Sequence, residues 1–287
     1  MRILVSGCTG FIGSNLVPEL QKLGHDVEGI SRKPVNVNHK MYLADLRSNH
    51  LAKKIRTNFD AIIHLAADTN EKDLSSMMSE NVVTTLNILE FARQKNIKKF
   101  VFVSGHNVYA PSKILPIKEN FPTLPFTNYG CTKLLSENLV SYYSSKFNLH
   151  AIILRVSVTY GNRYPKKNTI GKFINSYRKS RPIFLHRYKN GFQKVDLVNV
   201  YDVCDAIIKA LSSKKKYAIY NIASGKAATV KDVIKILKNN IKSDSKISVK
   251  DIEKKAPHFY YDIETARKKL NFEPKISLEE GITNLLQ

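Results

Sequence analysis

Tyr129 and Lys133 bracket the segment Tyr129-Gly130-Cys131-Thr132-Lys133, four residues apart. On a helix this spacing puts a phenol and an ammonium on one face. The ammonium favours the phenolate, which predicts a Tyr129 pKa lowered toward neutral pH. Such a pair gives a proton to a carbonyl or takes one from a hydroxyl. Alone it describes many amphipathic helices, so the chemistry needs a second component. Gly7-Cys8-Thr9-Gly10-Phe11-Ile12-Gly13 supplies it. This segment follows the apolar run 2–6, which reads as a buried strand, and leads into Phe11, Ile12, Leu16, Val17 and Leu20 at helical spacing. In that setting Gly7 permits a tight turn, Gly10 lets a pyrophosphate approach the backbone, and Gly13 lets helix and strand pack closely. The helix N-terminus adds backbone N–H groups and a positive dipole end. Strand, glycine turn and helix together point to a nicotinamide dinucleotide, with a proton moved beside the transferred hydride.

The elements that must position these groups follow from periodicity. Apolar runs at 27–30, 61–65, 100–104 and 151–156 read as strands, with helices at 81–96 and 130–147 between them. This alternation predicts an α/β fold, a Rossmann doubly wound parallel sheet covered on both faces. Beyond Gly161 the pattern loosens. A loop is expected at 164–168, then a helix at 170–180, and strands at 195–200 and 217–222 around a helix at 202–212. Helices at 228–240 and 262–270 precede a polar-apolar tail.

With 287 residues, 43% hydrophobic and 24% charged, the chain can bury a large core as a soluble globular protein. The net charge is +22, from 46 Lys and Arg against 24 Asp and Glu. The lysines fall in scattered groups such as Lys53-Lys54, Lys98-Lys99 and Lys268-Lys269, without a long basic arm. A lysine-rich solvated surface is therefore favoured over nucleic-acid binding, for which salt-dependent RNA affinity would be the signature. Cys8, Cys131 and Cys204 lack metal-ligand spacing and are too few for a disulfide framework, so no metal is expected. The first strand starts at residue 2 and no long apolar span follows, which predicts a cytoplasmic protein without a membrane partner.

The second strand runs into Ser31-Arg32-Lys33. An acid in this place accepts from the ribose 2′-hydroxyl of NAD and repels a 2′-phosphate. Ser31 and the Arg32 guanidinium suit the phosphate instead, which predicts NADP as cofactor. NAD is tolerated as well if Arg32 only stacks on adenine.

These motifs, in this order, resemble the extended short-chain dehydrogenase/reductase family, in its nucleotide-sugar epimerase/dehydratase group. Further segments carry the resemblance over nearly the whole chain: Ala44-Asp45-Leu46, His64-Leu65-Ala66-Ala67, Asn81, the run 100–104 with Val108-Tyr109, Leu154-Arg155, Asp196, Asp202, the run 220–225, and Asp262. The resemblance implies that Asp45 and Leu46 touch adenine. It implies that Leu65, Ala66 and Ala67 pass beneath the cofactor, that Asn81 belongs to the cofactor site at a helix opening, and that Lys133 hydrogen-bonds the cofactor ribose. It also implies a Rossmann domain over 1–161, rejoined by 195–225, and a smaller C-terminal α/β lobe over 162–287 that binds a nucleotide-sugar substrate. A homodimer would form through the helices 81–96 and 130–147, with Leu134, Leu135, Leu139, Tyr142 and Tyr143 as apolar surface.

Two departures qualify the resemblance. The family has Ser or Thr three residues before the Val-Tyr pair, and here that place is Gly105. Ser104 is adjacent, but a one-residue shift turns a side chain to the opposite face. His106 and Asn107 stand where the dehydratases carry acids, which disfavours water elimination. Ser104 and His106 are the candidates to complete the proton network of Tyr129 and Lys133; His106 either donates the missing hydrogen bond or is an exposed loop histidine. In the phosphate region, Val158 and Val195 occupy places where such epimerases carry Asn and Arg. Asn107, Ser157, Lys194 and His258 are the candidate substrate contacts. The expected activity is NAD(P)-dependent reduction of a 4-keto-sugar nucleotide, or epimerisation through one. The alternative is a catalytically silent nucleotide-binding sensor or scaffold, which Gly105 favours and the Tyr129–Lys133 pair opposes.

Overall fold

The computed structural model describes residues 1–70, 73–163 and 168–287, so the loop expected at 164–168 lies, but for Asn168, outside the described residues. The chain opens with β1 (Arg2–Ser6), α1 (Phe11–Lys22), β2 (Asp26–Ser31), β3 (Lys40–Leu43), α2 (Leu51–Lys54) and β4 (Ala61–His64). Next come α3 (Leu74–Met77) and α4 (Thr84–Gln94), joined by a π-helical turn at Met78–Val83. β5 (Lys99–Gly105), a 3-10 turn at His106–Val108, α5 (Asn128–Phe147), β6 (His150–Val156) and β7 (Val158–Tyr160) follow. The remainder is α6 (Thr169–Arg178), β8 (Ile183–Tyr188), β9 (Val195–Asn199), α7 (Val200–Ser212) and β10 (Tyr217–Ile222). It ends with β11 (Ala227–Ala228), α8 (Val230–Asn240), β12 (Ile247–Ile252), α9 (Glu264–Leu270) and α10 (Leu278–Asn284).

Seven strands form one parallel sheet in the order β10-β6-β5-β4-β1-β2-β3. Its central strands are buried on both faces, as expected where helices cover a parallel sheet, and read as unbroken apolar runs. On one face Leu16, Val17 and Leu20 of α1 meet Val203, Ile207 and Leu211 of α7 over Val5, Val101 and Leu154. On the other, Ile88 and Leu89 of α4 and Val140 of α5 cover Leu4, Ile62, Phe100 and Phe102. The strand order reverses between β1 and β4, which opens a crevice at their carboxyl ends. The Rossmann α/β architecture expected from the alternation is thus present.

A second set of elements covers that end of the sheet. β7, β9 and β11 form a three-stranded sheet and β8 pairs with β12. With α6, α8 and α10 they enclose a core of Tyr160, Ile174, Leu237 and Ile282. The stretch 195–225 is divided: β10 joins the large sheet, whereas β9 pairs with β7 and β11.

Several elements differ from expectation for local reasons. The helix expected from residue 81 already begins at Leu74, because the Asp73 side chain accepts from Ser76 N–H and caps it. The polar-apolar tail folds as α10, capped by Ser277 and anchored by Ile282. β3 carries no apolar alternation and β12 is exposed along its middle; each forms by pairing with a partner strand. Of the apolar residues expected at a dimer face, Leu134, Leu139 and Tyr143 pack inward, and Tyr143 donates to Glu90. Leu135 and Tyr142 stay exposed, joined by Val83 and Leu86.

Candidate active site

Gly7 turns the chain at the end of β1 with φ +72°, and a Cβ there would stand 2.7 Å from the Ala66 backbone nitrogen. The segment after β4 therefore lies directly against the turn. A Cβ on Gly13 would overlap the Gly7 carbonyl oxygen, so α1 docks this closely only with glycine. Gly10 caps α1 without a side chain. The positive end of the helix meets a cleft of about 950 Å3 lined by Gly7, Thr9 and Gly10, by Ser31, Arg32, Asp45 and Leu46, and by Leu65, Ala66 and Ala67. Phe11 and Ile12 pack on the core with their side chains, so what they present to a phosphate is backbone. A turn without room for a side chain, a helix N-terminus and a cleft of this size fit a dinucleotide.

The end of the cleft by β2 is charged. Arg32 pairs with Glu80 at 3.0 Å, and Arg47 bridges Glu80 at 3.1 Å and Asp45 at 2.6 Å. Arg47 beside Asp45 holds that carboxyl below the usual range. Arg47 and Glu80 were not anticipated from sequence, because neither lies in a motif.

A chain of buried hydrogen bonds ties this crevice to the helix that carries Tyr129. Thr85 Oγ1 donates to the Asn81 carbonyl at 2.7 Å, so it accepts from His64 Nε2–H at 3.1 Å. His64 Nδ1 then accepts from Ser6 Oγ at 2.6 Å, one residue before Gly7. The ring is thereby neutral, and burial pushes its pKa down to about 3. From Asn81 the connection continues through its amide, which donates to Thr132 Oγ1 at 3.0 Å, and Thr132 donates to the Tyr129 carbonyl at 2.9 Å. Asn81 also accepts from Asp68 N–H and donates to its carbonyl. The Asn81 amide thus holds the segment at Asp68 and α5 together at the edge of this crevice. Ser6, Thr85 and Thr132 became visible only through this network.

Tyr129 and Lys133 share the first turns of α5. Lys133 donates to the Val103 carbonyl at 2.6 Å and lies 4.2 Å above the Phe102 ring. Burial pushes Lys133 down to about 7, against a smaller raising effect of Glu137, and pushes Tyr129 up to about 12. The lowered Tyr129 pKa expected from the spacing is therefore not met. Burial disfavours phenolate and ammonium alike. Glu137, one turn further on, forms a buried forked pair with Arg155 of β6 at 2.7 Å, and Arg155 also donates to the Glu119 carbonyl. This pair fixes α5 against the sheet.

Gly105 ends β5 in ordinary extended backbone, φ −134°. The point where its Cβ would stand is 3.5 Å from Asn107 Oδ1 and 3.8 Å from the Tyr129 hydroxyl. Ser104, on the opposite face of the strand, is buried, and its hydroxyl has no hydrogen-bond partner among the described residues. The His106 ring packs 6.0 Å from both Phe259 and Tyr261, and burial there pushes its pKa down to about 4. It is a half-buried member of an aromatic cluster rather than an exposed loop histidine. A Cβ on Gly130 would overlap the Asn107 carbonyl, so this glycine lets α5 press against the His106–Val108 turn.

The remaining expected substrate contacts divide. Ser157 is buried and donates to the Asp196 carbonyl at 2.7 Å. His258 accepts from Lys194 N–H at 3.1 Å, which orders the loop. The Lys194 side chain is exposed. Asp196 accepts from Ser224 and Gly225, and burial raises it to about 6. The Ser157 and Ser224–Gly225 bonds to Asp196 thus tie β9 to the ends of β6 and β10.

Comparison with known proteins gives one family match, one relative and two solved structures. The model of the NAD dependent epimerase/dehydratase family matches residues 3–223. A Methanocaldococcus jannaschii protein named "Putative UDP-glucose 4-epimerase" is 33% identical, over 99% of this chain and 97% of its own. Among solved structures, the UDP-glucose 4-epimerase of Thermotoga maritima with UDP-glucose superposes with a TM-score of 0.89 at 26% identity, covering 100% of this chain and 97% of the other. The UDP-glucuronic acid 4-epimerase of Bacillus cereus, in complex with UDP-glucuronic acid and NAD, gives 0.85 at 25% identity, covering 98% and 96%. No described helix is long and apolar enough to cross a membrane.

Proposed function

The chain belongs to the NAD dependent epimerase/dehydratase family, and from that premise we propose that it epimerises a UDP-sugar by transient oxidation of a ring hydroxyl. The observation that carries this reading is the unbroken hydrogen-bond chain from Ser6 to Tyr129, which couples the glycine turn to the acid/base helix. Nicotinamide, when bound, takes up the hydride and returns it. The protein handles the proton: Tyr129 takes it from the sugar hydroxyl and gives it back to the carbonyl. Lys133, with a pKa near 7, supplies the positive charge that a passing phenolate needs. The relatives and structural neighbours give no support to the catalytically silent alternative. Water elimination remains disfavoured, because His106 and Asn107 offer no carboxylate. We assign Lys194 to the substrate diphosphate and Asn107 to the sugar. Turnover of UDP-glucose or UDP-glucuronic acid, followed by NMR and abolished in Tyr129→Phe, tests the reading; no Tyr129-dependent turnover on either would sink it.

The cofactor preference we propose is NADP over NAD. Ser31, Arg32 and Arg47 border the cleft where a 2′-phosphate would arrive, and β2 ends without an acid. Glu80 already neutralises part of the two arginines, which limits the expected preference to about tenfold, or ~1.4 kcal/mol. Fluorescence titration should give a lower Kd for NADPH than for NADH, and Arg32→Ala should level the two. Equal constants in the wild type would exclude the preference.

We further propose a homodimer through α4 and α5, where Val83, Leu86, Leu135 and Tyr142 leave apolar surface exposed. Sedimentation equilibrium should report twice the chain mass, and Leu86→Glu with Tyr142→Glu the single chain. A wild type that sediments as one chain at micromolar concentration would dismiss it. Three free cysteines fit a cytoplasmic setting.

A further inference from the structure

We propose that Asn107 is a catalytic residue whose side-chain amide donates the hydrogen bond to the reacting sugar oxygen beside Tyr129, a role that presupposes the redox reading above. The Asn107 amide and the Tyr129 hydroxyl border one small space, the space that a side chain at position 105 would fill. Asn107 is held there from both sides. Tyr109 N–H closes the 3-10 turn on the His106 carbonyl, and Gly130 lets α5 rest on the Asn107 carbonyl. The Tyr109 hydroxyl, anchored at 2.6 Å on Asn221, fixes the chain two residues further on.

What singles out Asn107 is that its amide is uncommitted. The side chains of Asn15, Asn81, Asn190, Asn199 and Asn221 all hold backbone groups. Among the described residues the Asn107 amide makes no hydrogen bond, although the residue is half-buried. An amide carries a donor and an acceptor, and rotation about its last bond exchanges them. Its neighbours are less suited. Ser104 lies on the other face of β5, and the His106 ring is committed to Phe259 and Tyr261.

The chemistry balances without a further reactant. With a nicotinamide bound, the sugar C–H hydrogen would leave to it as hydride while the O–H proton passes to the Tyr129 phenolate, which becomes the phenol. The oxygen becomes a carbonyl and accepts from Asn107 Nδ2–H; the return step reverses each transfer. A donor aimed at an oxygen whose charge changes in the transition state acts on kcat more than on KM.

The test measures kcat and KM with UDP-glucose and UDP-glucuronic acid, each with NAD and NADP, in the wild type, Tyr129→Phe, Asn107→Ala, Asn107→Asp and Asn107→Ala with Gly105→Ser. Asn107→Asp keeps the shape and removes the donor. Both single Asn107 variants should lose about a hundredfold in kcat with little change in KM. Gly105→Ser should restore about tenfold or more, since its backbone angle is open to serine and its neighbours leave ordinary contact distances. Thermal melts must show that the variants fold. Wild-type kcat in folded Asn107 variants, a change confined to KM, or no rescue by Gly105→Ser overturns the assignment while Tyr129→Phe stays inactive. A wild type without Tyr129-dependent turnover overturns it together with the redox reading.

Discussion

Replacing Tyr129 by Phe lowers kcat by about two to four decades while leaving the Kd for the dinucleotide nearly unchanged. The hydroxyl is needed only while a proton moves, so its loss falls on the transition state. Nothing in the glycine turn depends on it, because the link from α5 to the crevice runs through the Tyr129 carbonyl and Thr132. Lys133→Ala behaves differently. It removes the charge beside the phenol and the donor to the Val103 carbonyl, so both kcat and cofactor affinity fall. Stopped-flow turnover and cofactor titration on the two variants separate these effects. Wild-type rates in Tyr129→Phe with the true substrate would refute the acid/base assignment.

Replacing Glu137 by Leu destabilises the protein by about 3–5 kcal/mol, since it leaves the Arg155 guanidinium buried without its carboxylate. At this chain length that corresponds to a fall in Tm on the order of 10 °C. Glu137→Leu with Arg155→Leu should recover much of the loss, because the uncompensated charge has gone. Differential scanning calorimetry on wild type, single and double variants decides it. A single variant within about 0.5 kcal/mol of wild type would show the pair to be dispensable. A double variant no better than the single would show that the helix needs the ions themselves and not merely their neutrality.

The central strands, the glycine turn and the Tyr129–Lys133 spacing were legible in the chain because each is a local matter. β1, β4, β5 and β6 are short apolar runs closed by turns, and a parallel sheet buries such runs whole. Gly7 and Gly13 are dictated by contacts within the first strand, turn and helix and the segment that pairs beside them. Elements whose stability comes from a distant partner were not legible: β12 is polar and exposed along most of its length and exists through β8. The division of 195–225 between two sheets is likewise a matter of pairing, not of periodicity.

At the site the same boundary holds. Spacing alone placed a phenol and an ammonium on one face, and from that the sign of the Tyr129 shift was inferred wrongly. The sign depends on how much water the fold removes from each group, and the tertiary structure buries Lys133 and half-buries Tyr129. The resemblance placed Asn81 at a helix opening, and only folding shows its amide tied to Asp68 and Thr132. Counting from Val108-Tyr109 exposed the gap at Gly105, but only the packing of Gly130 on the Asn107 carbonyl shows which amide borders it. Sequence determines which functional groups the chain owns and which lie one helical turn or one strand position apart. Solvation and hydrogen-bond saturation, which set what each group can do, depend on neighbours brought from far along the chain, and those the tertiary structure alone decided.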